Sequence, residues 1–271
     1  MPPEIVSEIF RAYCALDDKY PWHGPLYQET CSRIILTSVA AWRNIAHATP
    51  ELWSELKIHQ EGYQTPNAAD SDIAAQWLSR SGDLPLDLNI SLRMGYRGNI
   101  AQAFPAFSHR IRSLEVYMPM EHFQLFIHLP KSSFPSLETL ILDFRSRDPF
   151  YFSRELKTQN PNGIEIFSDS RQLKYVSFTE TGDLLENIKF PRDTVTSLKI
   201  MAYSCYECQF PSLYFDAVRS MNQLVHCTIE FPRKRYEIAD THQPILLPFL
   251  QSLSLSTEPD GETGCNASAS P

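Results

Sequence analysis

The feature that most limits what this chain can fold into is a triplet, apolar-x-x-apolar-x-apolar, that returns along its length. It reads Ile111, Leu114, Val116; Leu137, Leu140, Leu142; Leu173, Val176, Phe178; Val195, Leu198, Ile200; Leu224, Cys227, Ile229; and Leu250, Leu253, Leu255. The last two members of each triplet alternate with their neighbours at period two, the pattern of a strand that buries one face. Steps such as Phe134-Pro135, Phe190-Pro191 and Leu247-Pro248 lie just ahead of several triplets and fit a turn feeding the strand. Leu86 to Leu92 alternates in the same manner and reads as a further strand.

The middle residues of successive triplets lie 26, 36, 22, 29 and 26 positions apart. Most of these intervals fall within or beside the roughly 20–29 residues of leucine-rich repeats. The Asn or Cys that such repeats place after the third leucine is variable here, so the array is degenerate. A different open sheet with helices on one side uses similar triplets and is the alternative; the favoured expectation is a curved solenoid. Met120 to Ile127 and Ser212 to Val218 have helical apolar spacing and would cover its convex side. The tail after Leu255 is polar and without periodicity, and is expected to be disordered. No polar capping repeat follows the last strand, so either the final repeat is exposed or the chain is a shortened version of a longer one.

The N-terminus obeys a different period. Pro2 and Pro3 start a helix cheaply, because the first helical amides have no partner to lose, and Glu4 suits the N-terminal dipole. Ile5 and Ile9 recur four apart, with Val6 and Phe10 beside them, giving a broad apolar stripe. A second amphipathic helix is expected from Ile34 to Ala48, through Ile35, Val39, Trp42 and Ile45, ending before Pro50. Gly62 to Ser71 reads as a solvated connection. Asp72 is then expected to cap a helix through Ile73, Trp77 and Leu78 that closes near Ser81-Gly82.

Three blocks in this region carry a resemblance: Pro2-Pro3-Glu4-Ile5-Val6-Ser7-Glu8-Ile9-Phe10, Val39-Ala40-Ala41-Trp42-Arg43-Asn44-Ile45-Ala46, and Thr49-Pro50-Glu51-Leu52-Trp53. In order and tryptophan spacing they resemble the F-box-like proteins of mushroom-forming basidiomycete fungi. The chain departs from that pattern at Met1, where the family has Leu, at Ala40 and Ala41, and in a longer segment from Cys14 to Thr30. Met1 lying inside the motif leaves a shortened start open. The resemblance covers about the first fifth of the chain and implies docking onto the Skp adaptor of a cullin-RING ubiquitin ligase. Pro3, Ile5, Ile9 and Phe10, with Val39, Trp42 and Ile45, would face or support the adaptor, and Leu52 and Trp53 would brace the junction to the repeats. Trp42 and Trp53 are equally readable as partner anchors or as core.

Composition narrows the function from the other side. A balance of 24 basic against 32 acidic residues, net -8, disfavours a nucleic-acid partner. No run approaches the roughly 18 apolar residues of a membrane span, and the acidic N-terminus is unlike a secretory leader. The six cysteines are scattered, which fits reduced thiols and an intracellular protein, cytoplasmic or nuclear. Cys205-Tyr206-Glu207-Cys208 has zinc spacing but no second pair to complete four ligands. The histidines are dispersed singly, and neither an activated-serine elbow nor a phosphate loop is present. The basic clusters Arg145-Ser146-Arg147 and Arg233-Lys234-Arg235 read as solvated loops before they read as anion sites. No catalysis, cofactor or metal is expected.

The expected architecture is α+β: an F-box-like helical segment over 1–57, a linker and connecting helix over 58–83, an irregular leucine-rich-repeat-like α/β solenoid over 84–257, and a disordered tail over 258–271. The expected role is a substrate-receptor subunit of a Skp-cullin-F-box ubiquitin ligase, with the Skp adaptor and cullin complex on one side and a target protein on the repeats. The alternative is a protein-binding module whose F-box-like segment is vestigial.

Overall fold

Eight strands form a single all-parallel sheet in chain order: β1 (Glu55–Gln60), β2 (Leu86–Leu92), β3 (Ile111–Tyr117), β4 (Thr139–Asp143), β5 (Tyr175–Glu180), β6 (Ser197–Ala202), β7 (His226–Phe231) and β8 (Ser252–Thr257). The computed structural model describes residues 2–17, 40–60, 69–92, 100–144, 162–180, 184–202, 210–231 and 244–257. Within these lie six α-helices: α1 (Pro3–Asp17), α2 (Ala40–His47), α3 (Ala69–Ser79), α4 (Met120–Ile127), α5 (Leu184–Asn187) and α6 (Phe210–Arg219). None of them is long and apolar enough to cross a membrane.

The registers explain why the triplets recur. Leu114, Leu140, Val176, Leu198, Cys227 and Leu253, the six middle residues, occupy one rung across the sheet, continued by Leu88 and Leu56. The third residues make the next rung on the same face, continued by Ile90 and Ile58. From β1 to β7 all of these side chains are buried, each worth about 1.5–3 kcal/mol of transfer from water. The first residues close turns: Leu137, Leu173, Leu224 and Leu250 donate their amides to the carbonyls of Phe134, Ser170, Met221 and Leu247. Pro135 and Pro248 occupy the second position of two of these turns, where a fixed φ near -65° is already correct.

Strand entry is fixed by shared acceptors. The amides of Lys174 and Tyr175 both meet the Glu138 carbonyl at 2.9 and 3.0 Å, those of Thr196 and Ser197 both meet Lys174 at 2.9 Å, and those of Val225 and His226 both meet Thr196 at 2.8 and 3.0 Å. A carbonyl oxygen has two lone pairs, so one acceptor serves two donors and sets the phase of the incoming strand.

The chain is therefore α/β, and this corrects the α+β expectation of a helical segment leading into a leucine-rich-repeat-like solenoid. The sheet starts earlier than expected: β1 runs through the 57/58 position, and its Leu56 and Ile58 belong to the same core rungs as every later strand. Nor does one unit recur between strands, since the described crossover helices range from the four residues of α5 to the eleven of α3. The physical reason is that a triplet specifies a strand and its buried face but not what fills the crossover. β1 itself, Glu-Leu-Lys-Ile-His-Gln, holds only two apolar residues among polar ones, too short an alternation to register from sequence. Similarly α3 begins at Ala69, so Asp72 lies in its first turn and is not its cap, while Gly82 at φ +57° ends that region as expected. The tail over 258–271 lies outside the described residues.

Two tryptophans join the helical segment to the sheet. Trp53 is 2% exposed and donates Nε1–H to the Ala46 carbonyl at 2.8 Å. Trp77 of α3 meets it edge-on at 4.8 Å and donates its own Nε1–H to the Glu55 carbonyl at 3.1 Å. Arg80 lies over the Trp53 ring at 4.7 Å, the geometry of a cation–π contact.

Gly163 offers a test of the packing. Its φ is +84°, and an added Cβ would stand 2.5 Å from the Asn187 carbonyl oxygen, which already accepts the Ile164 amide at 2.6 Å. Gly163→Ala is expected to cost on the order of 1–3 kcal/mol in urea denaturation, whereas Gly82→Ala, with open space around it, is expected to cost about 1 kcal/mol. Equal midpoints for the two variants would contradict this placement.

Candidate protein-binding site

The stripe of α1 divides into two faces. Phe10 is 4% exposed and enters the core, with Val6 half-buried behind it, while Ile5 and Ile9 stand 50% and 49% exposed. A helix turn of about 100° per residue separates the 5/9 pair from the 6/10 pair, so one packed neighbour buries only one of them. On α2 the division repeats: Ala46 is buried and Ile45 half-buried against the core, but Trp42 is 42% exposed. The Trp42 ring leans edge-on against Phe10 at 5.9 Å, which holds the exposed indole in one attitude.

Polar bonds fix the two helices to each other. The Thr49 hydroxyl donates to the Ile45 carbonyl at 2.7 Å, and the Ser7 hydroxyl lies 3.0 Å from Thr49 Oγ1. A hydroxyl has one proton, so with Thr49 donating to Ile45 it accepts from Ser7. Ile5, Ile9 and Trp42 are thus presented on a braced pair of helices.

Of the residues expected in the adaptor-facing set, these three are exposed, Phe10 is buried, and Ile45 is intermediate. Pro3 opens α1, and Val39 lies outside the described residues. Leu52 and Trp53 are buried at 3% and 2%, so Trp53 is core and not an anchor, while Trp42 has the exposure an anchor needs.

A second surface is the outer face of the sheet, where the positions between the apolar ones line up. Asn89, Glu115, Ile141, Ser177 and Lys199 share one rung, and Ser91, Tyr117, Asp143, Thr179 and Met201 the next. Asn89 Nδ2 donates to Glu115 Oε2 at 2.8 Å, and the Tyr117 hydroxyl approaches the same oxygen at 3.3 Å. Burial, and then the Glu115 charge, push the Tyr117 hydroxyl up to about 12. Nearer the strand entrances Arg112 grips Asp87 through Nε–Oδ1 at 3.1 Å and a second guanidinium nitrogen on Oδ2. Asp143, Ser177 and Thr179 on these rungs are buried, so the positions open to a partner are the partly exposed ones, among them Asn89, Glu115, Tyr117 and Lys199, which combine hydrogen-bonding groups with an aromatic.

Sequence reading did not single out Glu115, Tyr117 or Asp143, and took Asn89 only as part of a discounted glycosylation match, Asn89-Ile90-Ser91. Their only signal was the even spacing between core residues, and that marks the outer face without saying which side chains on neighbouring strands meet. Cys227 lies on the core face, where burial pushes its thiol up to about 11. The Cys205/Cys208 pair and both basic clusters fall outside the described residues; among the described ones no group of three His, Cys, Asp or Glu side chains is arranged to hold a metal ion. Comparison with family models, curated proteins and solved structures finds no match to this chain.

The Tyr117 environment predicts a pH dependence. The unfolded phenol titrates near 10.0 and the folded one near 12, so between these values the unfolded state releases a proton that the folded state keeps, and stability falls as pH rises. Below about pH 10 both states are protonated and the effect vanishes. Tyr117→Phe is expected to flatten the decline in melting temperature across that window; an unchanged slope would place the high titration elsewhere.

Proposed function

We propose that this chain is a substrate-receptor subunit of a Skp-cullin-F-box ubiquitin ligase, acting inside the cell in the cytoplasm or nucleus. The Skp adaptor docks on the ridge of Ile5, Ile9 and Trp42, and a target protein lies on the outer face of the sheet. The single observation that carries the reading is that three large apolar side chains stay exposed on helices whose other faces are firmly packed. Exposed apolar residues gathered on one braced pair of helices gain from a partner that covers them. The same three residues belong to the blocks that resemble the F-box-like proteins, so the chemical and the sequence arguments select one surface.

In this role the chain makes and breaks no bond. It raises the local concentration of target lysines near a conjugating enzyme held elsewhere in the assembly, which is a gain in effective molarity. The outer sheet face suits the target because its partly exposed positions, among them Asn89, Glu115, Tyr117 and Lys199, offer donors, acceptors and an aromatic on strands fixed from below by the buried core.

Purified Skp adaptor in a pull-down tests the proposal. The parent chain is expected to capture it, and Ile5→Asp with Ile9→Asp to lower capture at least about tenfold, because unpaired carboxylates would be desolvated in the contact. Both positions are half exposed, so the circular dichroism of the double variant should match the parent. Undiminished capture by that variant, or none by the parent, would leave the chain a binding module without a ligase role.

A further inference from the structure

The last rung of the core face is open. Leu253 and Leu255 stand in register with Cys227 and Ile229, yet each is 55% exposed where those two are 2% exposed. Leu246 and Phe249, on the approach to β8, are 85% and 53% exposed. Among the described strands β8 pairs only with β7, so no described strand takes up the hydrogen-bonding groups along its other edge.

The two edges of the sheet are built differently. On β1 the core residues Leu56 and Ile58 are 4% and 1% exposed, and the strand carries Glu55 and Lys57 as an ion pair at 3.2 Å. Charges and cover are how sheets discourage strand addition. β8, Ser-Leu-Ser-Leu-Ser-Thr, has no charge, no proline, no glycine and no bulge against β7.

We propose that β8 is the seam of a two-fold homodimer, pairing antiparallel with β8 of a second copy. Residues directly opposite in an antiparallel pair project to the same face, so the exposed leucines must lie opposite leucines. The two-fold register that achieves this sets Leu253 opposite Leu255 of the partner subunit, Ser252 opposite the partner's Ser256, and Ser254 on the axis opposite itself. A slip by one residue would pair leucine with serine and expose both. The alternating sequence is thus complementary to itself, and although each copy carries a net charge of -8, the strand at the seam is neutral, so no like charges meet there. Joining β8 to β1 of another copy would instead require stripping cover from Leu56 and Ile58 and would not close. The seam is at the far end of the sheet from α1 and α2 and stands independently of the ligase reading.

Sedimentation of the 271-residue chain at tens of micromolar is expected to give twice its 31.1 kDa mass. Ser254→Lys sets like charges opposite each other and is expected to yield monomers with an unchanged circular dichroism spectrum. Ser254→Cys should oxidise to a reducible covalent dimer, because opposed residues are about 4.5–5.5 Å apart at Cα, within disulfide reach. Ser256→Cys, facing Ser252, should not. A monomeric parent chain overturns the proposal and means that something other than a second copy covers this edge. So does a dimer that survives Ser254→Lys and that Ser254→Cys fails to lock.

Discussion

Stacking of apolar rungs is the constraint from which the rest of the structure follows. Each core side chain is covered laterally by its counterparts on the strands before and after it, and from Ile58 to Ile229 the outcome is near-complete burial. Parallel strands cannot be joined by tight hairpins and need longer crossovers. That is why the triplets are spaced by tens of residues and why the spacing varies with what each crossover holds. The shared carbonyls at Glu138, Lys174 and Thr196 keep the strands in phase despite those unequal lengths.

Lateral cover also decides the two ends of the sheet. At β1 the rung is closed by the helical segment, through Trp53 and its contacts with Ala46, Trp77 and Arg80. At β8 no described element does the same, and the rung remains open. One end therefore carries a braced pair of helices whose surplus apolar residues face outward, and the other carries an uncharged strand edge. Between them lies an outer face whose polar residues are set in rows by the same registers that bury the core. Burial is incomplete at the two ends, and apolar surface left uncovered gains from being covered.

How much of this was legible varies with the length of the pattern. Six strands were readable because each repeats an apolar spacing that only one local geometry satisfies, and Leu86 to Leu92 was readable for the same reason. α4 was legible to the residue, Met120–Ile127, because its apolar spacing is dense. β1 was not, as two buried residues among charged neighbours make no period. The exposed ridge was half legible: the resemblance drew attention to Ile5, Ile9, Phe10 and Trp42 together, but four apolar residues at helical spacing do not say which pair turns inward. Asn89, Glu115 and Tyr117 were invisible as a group, since 26 positions separate Asn89 from the Glu115 carboxylate it meets.

By itself the sequence determined the strands β2 to β8, their buried sides and the absence of charge on the last of them, because these depend on neighbours within a few positions. Only the tertiary structure decided that the helical segment and the strands share one core, that Phe10 packs while Ile5 and Ile9 do not, and that described elements cover one sheet edge and not the other. Those outcomes depend on which distant residues compete for the same buried volume, and burial is a property of the assembled surface, not of any short stretch of chain.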